Sequence, residues 1–312
     1  MRVAIQKAIM GIKFVTLATV AAVSIACWSM ESNRSSAASN EPATNYAPST
    51  VPTPTPKKVL TNDMPTVPKG GFMSQLPTDF QKPTDSSGEL ILREYGAYFL
   101  ARGGAVPPKK VVFKDEADVQ AFQSSVEMTR QTVGGKSIEL QVAAMSALLK
   151  AVADARSAGV SITPRGSGPS LRSYGETVTN WKGKVSAGFK RWVPSRVSAA
   201  DAKRISALTP YEQVPEILNL ESKGIYFSLA FDKSIIYSVA PPGTSQHCSG
   251  LALDVTEYGN ARVRAILAKH GWFQTISSDL PHFTYMGVQE SELPSLGLKK
   301  VGSGQVFWVP DI

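Results

Sequence analysis

Two cysteines, Cys27 and Cys248, are all that the 312 residues contain, so no disulfide framework can staple this chain and its fold must rest on a buried core. Histidine is nearly as scarce, with three in the whole sequence. No Gly-x-Ser-x-Gly elbow surrounds Ser245 or Ser249, which leaves a Ser-His-Asp hydrolase without its nucleophile turn. The net charge of +8 comes from scattered basic residues with no nucleic-acid-binding motif beside them, which reads as a solvated surface and excludes a nucleic-acid partner. There is no internal repeat.

What is present begins at the N-terminus. Arg2, Lys7 and Lys13 precede an apolar, small-residue run from Phe14 to Ala26, the layout of a secretory signal. Ser24-Ile-Ala26 permits cleavage before Cys27; acylation of Cys27, or retention of Phe14 to Met30 as a short membrane anchor, are the alternatives. Residues 1–27 are therefore expected to be a signal peptide or anchor, which places the rest in the periplasm or cell envelope. Residues 28–88 are rich in Pro, Ser and Thr, including Pro52-Thr-Pro54-Thr-Pro56, and read as a disordered, extended linker.

The remaining chain is long enough for one well-buried domain. Its first part, 89–160, reads as helical: Leu90 to Leu100, Glu116 to Met128, and a longer helix from Ile138 to Ala158. The second, 161–312, reads as a core of mixed structure. A short strand Gly159 to Thr163 feeds a loop at Arg172, a helix spans Ala199 to Ala207 behind Ser198 as N-cap, and Ile225 to Phe231 and Ser234 to Val239 form a hairpin. Leu251 to Thr256, Ala261 to Lys269, Trp272 to Ile276 and His282 to Met286 then give strand, helix, strand, strand. The expected fold class is α+β, a small antiparallel sheet carrying a metal site and flanked by helices.

That site is read from Ser245-Gln-His247-Cys-Ser-Gly250-Leu-Ala252-Leu-Asp254 and Asp279-Leu-Pro-His282. Catalytic zinc takes three nitrogen or oxygen ligands and leaves a fourth position open, and His247, Asp254 and His282 supply such a set. On a straight helix His247 and Asp254 would sit ~10 Å apart and on a straight strand ~23 Å, so the backbone must bend between them. Gly250 is the residue best able to bend it. The competing reading is a buried histidine with hydrogen-bonded partners and a loop aspartate. His270 before Gly271 reads as a favourable basic residue at a helix end, and Cys248 as a small buried thiol.

The frame Ser245-x-His247-x-x-Gly250-x-Ala252-x-Asp254, the acid three residues before His282, and Ser170-Leu-Arg172-Ser173-Tyr174 upstream together resemble the zinc peptidases that cut bacterial cell-wall peptides. That family includes D-alanyl-D-alanine carboxypeptidases, D-Ala-D-Ala dipeptidases and the L-alanyl-D-glutamate endopeptidases of phage endolysins. The resemblance covers about residues 138–290. It implies a zinc cofactor on His247, Asp254 and His282, with Asp279 as the general base that activates the attacking water. It also implies that Arg172 holds a substrate carboxylate or the developing oxyanion and that Ser245 bonds the peptide. The implied partners are peptidoglycan peptides, with no protein partner. A D-alanyl-D-alanine carboxypeptidase-like hydrolase is the leading expectation, although many carboxypeptidases of the family carry Glu-x-Trp-His at the last motif, whereas the form Asp279-Leu-Pro-His282-Phe looks more like the endolysin branch. An inactive zinc-bearing wall-binding or interaction module is the third alternative.

Overall fold

The computed structural model describes residues 71–312, so the expected signal or anchor and most of the linker lie outside the described residues. No helix among those described is long and apolar enough to cross a membrane. The linker expected to run to residue 88 ends sooner. Helix α1 (Phe72–Gln75) sends Phe72 into the core, and Leu76 and Phe80 follow it, because prolines that punctuate a segment do not keep interspersed aromatic and aliphatic side chains from burial.

Helix α2 (Ser86–Tyr95) starts where the Asp85 carboxylate accepts from Gly88 N at 2.9 Å, and it runs on into a 3₁₀ turn, Gly96–Leu100. Helix α3 (Glu116–Ser125) is capped in the same way by Asp115. The long helix expected from Ile138 is in fact two elements. Strands β1 (Met128–Val133) and β2 (Lys136–Gln141) pair antiparallel around Gly134-Gly135, both at positive φ, and helix α4 (Val142–Ser157) begins only afterwards. In β2 the apolar side chains alternate, with Ile138 and Leu140 buried; helical periodicity starts one residue past Gln141.

Helix α5 (Tyr174–Trp192), unforeseen in the reading of this stretch as a loop, opens with a capping box in which Ser173 and Glu176 satisfy each other's backbone N–H. It buries Trp181, Val185 and Phe189, and at Gly188 an added Cβ would stand 2.0 Å from the Phe227 ring, so only glycine lets that ring lie against the helix. Helix α6 (Ala199–Ser206) follows Ser198 as expected, and α7 (Pro210–Glu221) carries a second capping box, Thr209 with Glu212.

The hairpin expected over 225–239 is absent. That segment is a loop with one 3₁₀ turn, Ile235–Tyr237, pinned by the buried Glu221 carboxylate, which accepts from Phe227 N at 2.9 Å and Ile235 N at 2.7 Å. Nor is 159–163 a strand, although it passes Pro164 to a single bridge with Val255.

Strand β3 (Ala252–Asp254), helix α8 (Ala261–Lys269), and strands β4 (Trp272–Phe273) and β5 (His282–Tyr285) follow, with sheet order β3-β5-β4, all antiparallel. Strands β6 (Leu298–Val301) and β7 (Phe307–Pro310) close the chain as a further antiparallel pair. The fold is α+β, with small antiparallel sheets flanked by helices. Trp181, Trp272, Tyr98, Phe72 and Phe283 are fully buried in one large cluster, and each large apolar side chain so placed contributes about 1.5–3 kcal/mol.

Candidate metal centre

Register places two of the three expected ligands face to face. Asp254, the last residue of β3, is the direct antiparallel partner of His282, the first of β5, and paired side chains on one sheet face stand within reach of each other. The third, His247, arrives on a 3₁₀ turn, Gln246–Ser249, that ends at Gly250 in the left-handed conformation, φ 70° and ψ 20°. This is the bend the spacing demands. A Cβ at Gly250 would also meet Met128 Sδ at 2.9 Å, so both the turn and its packing call for glycine.

The three side chains converge. Asp254 Oδ1 lies 3.4 Å from His247 Nε2 and 3.4 Å from His282 Nδ1, and one ligand atom from each residue falls within 4.8 Å of the others. The histidines are 2 % exposed and stand edge to face, 4.8 Å between ring centres.

The outer hydrogen bonds decide whether the inward-facing nitrogens carry a proton or a lone pair. His247 Nδ1 is 2.7 Å from Ser170 O, a carbonyl that only accepts, so Nδ1 carries the hydrogen and Nε2 presents a lone pair. For His282 the logic runs through Gln246, whose Nε2 donates to Tyr95 O at 2.8 Å. That contact fixes Oε1 on the other side, where it accepts from His282 Nε2 at 3.0 Å and from Thr284 Oγ1 at 2.5 Å. His282 Nδ1 is thereby left with its lone pair toward Asp254. Burial, outweighing the attraction of Asp254, lowers the His247 pKa and favours its uncharged ring.

Two imidazole lone pairs and a carboxylate oxygen thus point at one spot with no proton between them, and Asp254 Oδ1 is buried without a hydrogen bond. Three acceptors meeting in a buried place are mutually repulsive unless a cation lies among them. In a tetrahedral zinc site with bonds of about 2.0–2.1 Å, ligand atoms stand about 3.3–3.4 Å apart, which the two separations from Asp254 match. Each histidine also donates its outer N–H to a fixed oxygen, as metal-ligating histidines do. The residues fit a metal ion.

Around this group lies a cleft of about 330 Å³ lined in part by Tyr95, Arg172, Lys184, Ser245, Asp279 and both histidines. Ser245 is buried there ahead of the 3₁₀ turn, and Asp279 is exposed in the turn leading to β5. Arg172 also borders the cleft, but its guanidinium is engaged within the protein: Nη2 donates to Asp254 Oδ2 at 2.8 Å and Nε to Gly168 O at 3.0 Å. It orients Asp254, a role the sequence did not suggest for it.

Residues set aside on the sequence stay outside the centre. His270 Nε2 lies 2.9 Å from Asp154 Oδ2 beyond the end of α8, and Cys248 is fully buried beside Phe113, Val119 and Tyr174, its thiol pushed up to about 12 by burial. Sequence reasoning missed Gln246, although it adjoins His247, and the cleft wall formed by Asn180 and Lys184 of α5. The capping box at Ser173 was the available signal for that helix. Compared with family models, with curated proteins and with solved structures, the chain matches none.

Proposed function

We propose that this protein is a zinc-dependent peptidase acting on peptidoglycan stem peptides, most closely like a D-alanyl-D-alanine carboxypeptidase, exported to the periplasm or cell envelope. The observation that supports it is the convergence of three metal-binding lone pairs on one wall of an open cleft that also holds an acid, an arginine and a serine. His247, Asp254 and His282 would hold the ion. A divalent zinc bound there supplies Lewis acidity, lowering the pKa of a water and polarising a carbonyl.

This chain's own groups do the rest. Asp279, exposed at the cleft, accepts the proton of the attacking water and can return it to the leaving amine. Arg172 holds Asp254 aimed through Nη2, while the part of its guanidinium left free borders the space where an oxyanion would form. Ser245 offers a hydroxyl to the peptide. An endopeptidase of the L-alanyl-D-glutamate type is a second reading, favoured by a shallow groove that continues past Arg172 over Gly168, Ser173, Glu176 and Thr179, room for chain on both sides of a scissile bond.

Purified peptidoglycan digested with zinc-loaded protein and followed by mass spectrometry tests the assignment: loss of one D-Ala marks a carboxypeptidase, release of a stem peptide an endopeptidase. Elemental analysis should find one zinc in the parent, and His247→Ala, Asp254→Ala and His282→Ala should each sharply weaken its binding. Asp279→Ala should retain zinc and lower kcat by ~10²–10⁴. Intact peptidoglycan after prolonged incubation with zinc-loaded parent protein would remove the peptidase reading and leave a metal-bearing binding module.

A further inference from the structure

Two cations border the cleft, and they are not equivalent. Arg172 has one donor on Asp254 and another on Gly168 O, whereas Lys184 forms no hydrogen bond or ion pair with any described residue. Lys184 is partly buried, one helical turn beyond Asn180 on the face of α5 that borders the cleft, while Trp181, Val185 and Gly188 hold the helix in the core. An ammonium that borders a cleft and is committed to no neighbour is available to an anionic ligand entering that cleft. Besides Arg172 and Lys184, the ionisable groups lining this cleft are Tyr95, Tyr237, His247, His282 and Asp279, and the one carboxylate among them is exposed.

Resting on the peptidase reading, we propose that Lys184, rather than Arg172, is the specificity-determining residue that anchors the free C-terminal carboxylate of the substrate peptide. The carboxylate then lies at the α5 wall, with the scissile bond between it and the His247–Asp254–His282 group. Arg172 is relieved of the substrate-binding role and acts on Asp254 instead. Recognition by an ammonium tolerates small changes in ligand direction, because its three donors rotate where a guanidinium fork is fixed.

The test uses the zinc-loaded full chain and a peptide ending in D-Ala-D-Ala, either as the free acid or as its C-terminal carboxamide. Binding is read by calorimetry and turnover by mass spectrometry. The parent should prefer the acid; Lys184→Gln should weaken binding of the acid and raise its KM by about tenfold, with kcat and carboxamide binding nearly unchanged and zinc content intact. Lys184→Arg should restore most of the preference. Equal effects of Lys184→Gln on both peptides, or none on either, overturn the anchor and leave the peptidase reading standing. A parent that binds the acid through Lys184 but cleaves nothing overturns the peptidase reading and keeps the anchor; one that neither binds nor cleaves overturns both.

Discussion

Gln246 and Arg172 show how much of a candidate metal centre lies in the residues that hold its side chains in place. The converging residues themselves are legible in sequence, since histidine is scarce here and His247, Gly250, Asp254 and His282 stand in an ordered frame. Their supports are not, because Ser170 contributes a backbone carbonyl, which carries no side-chain signature, and a glutamine beside a histidine is unremarkable. Gln246→Leu removes the acceptor for His282 Nε2–H at similar volume. Zinc affinity, measured by competition with a chelator, should fall about 10- to 100-fold, and an unchanged affinity would mean that the His282 ring is held by its strand alone. For Arg172→Lys the expectation follows from its two contacts: one ammonium is poorly placed to serve both Asp254 Oδ2 and Gly168 O. Zinc affinity should therefore drop along with activity. Full zinc retention with lost activity would return Arg172 to the substrate-facing role.

At the scale of elements, helices and turns were misread where a local signal was present but weak beside a neighbouring pattern. Gly134-Gly135 marks a hairpin, yet the small and apolar residues that follow merge with α4 into one apparent helix. Ser173-x-x-Glu176 and Thr209-Pro210-x-Glu212 mark the starts of α5 and α7, while short helices such as α8 were found at their true bounds. The loop after α7 was illegible for a different reason, since its conformation depends on a carboxylate six and fourteen residues away. Glu221→Ala leaves Phe227 N and Ile235 N unpaired inside the protein and should cost about 2–4 kcal/mol in urea unfolding. Glu221→Gln retains an oxygen for both. Burial raises the Glu221 pKa despite these bonds, so its folded form binds a proton more tightly than its unfolded form. Its contribution to stability must then decline as pH rises from the ordinary glutamate value of 4.5 through the raised one, a slope that Glu221→Gln should flatten. An identical pH dependence in the glutamine variant would contradict the assignment.

In the whole molecule, the centre is assembled from segments far apart in sequence: Tyr95 on α2, Ser170 and Arg172 ahead of α5, the 246–254 turn and strand, and His282 on β5. No local pattern announces that α2 and β5 meet through Gln246; only the packed core brings them together. An ion seated among these segments is bound by the folded chain alone, so its binding free energy adds to the stability of the entire domain. At free zinc about a thousandfold above Kd the added stability is about 4 kcal/mol, and for a domain of this size each kcal/mol moves Tm by about 2–4 °C. Chelation should accordingly lower Tm by about 8–16 °C, with full recovery on adding zinc back. Asp254→Asn should abolish most of the zinc-dependent shift, since the carboxylate is the anionic member of the candidate ligand set. Calorimetric scans of parent and variant with and without chelator distinguish this from the competing reading of a hydrogen-bonded His-Asp-His cluster. Such a cluster would be stable without metal and would show no chelator shift in either protein.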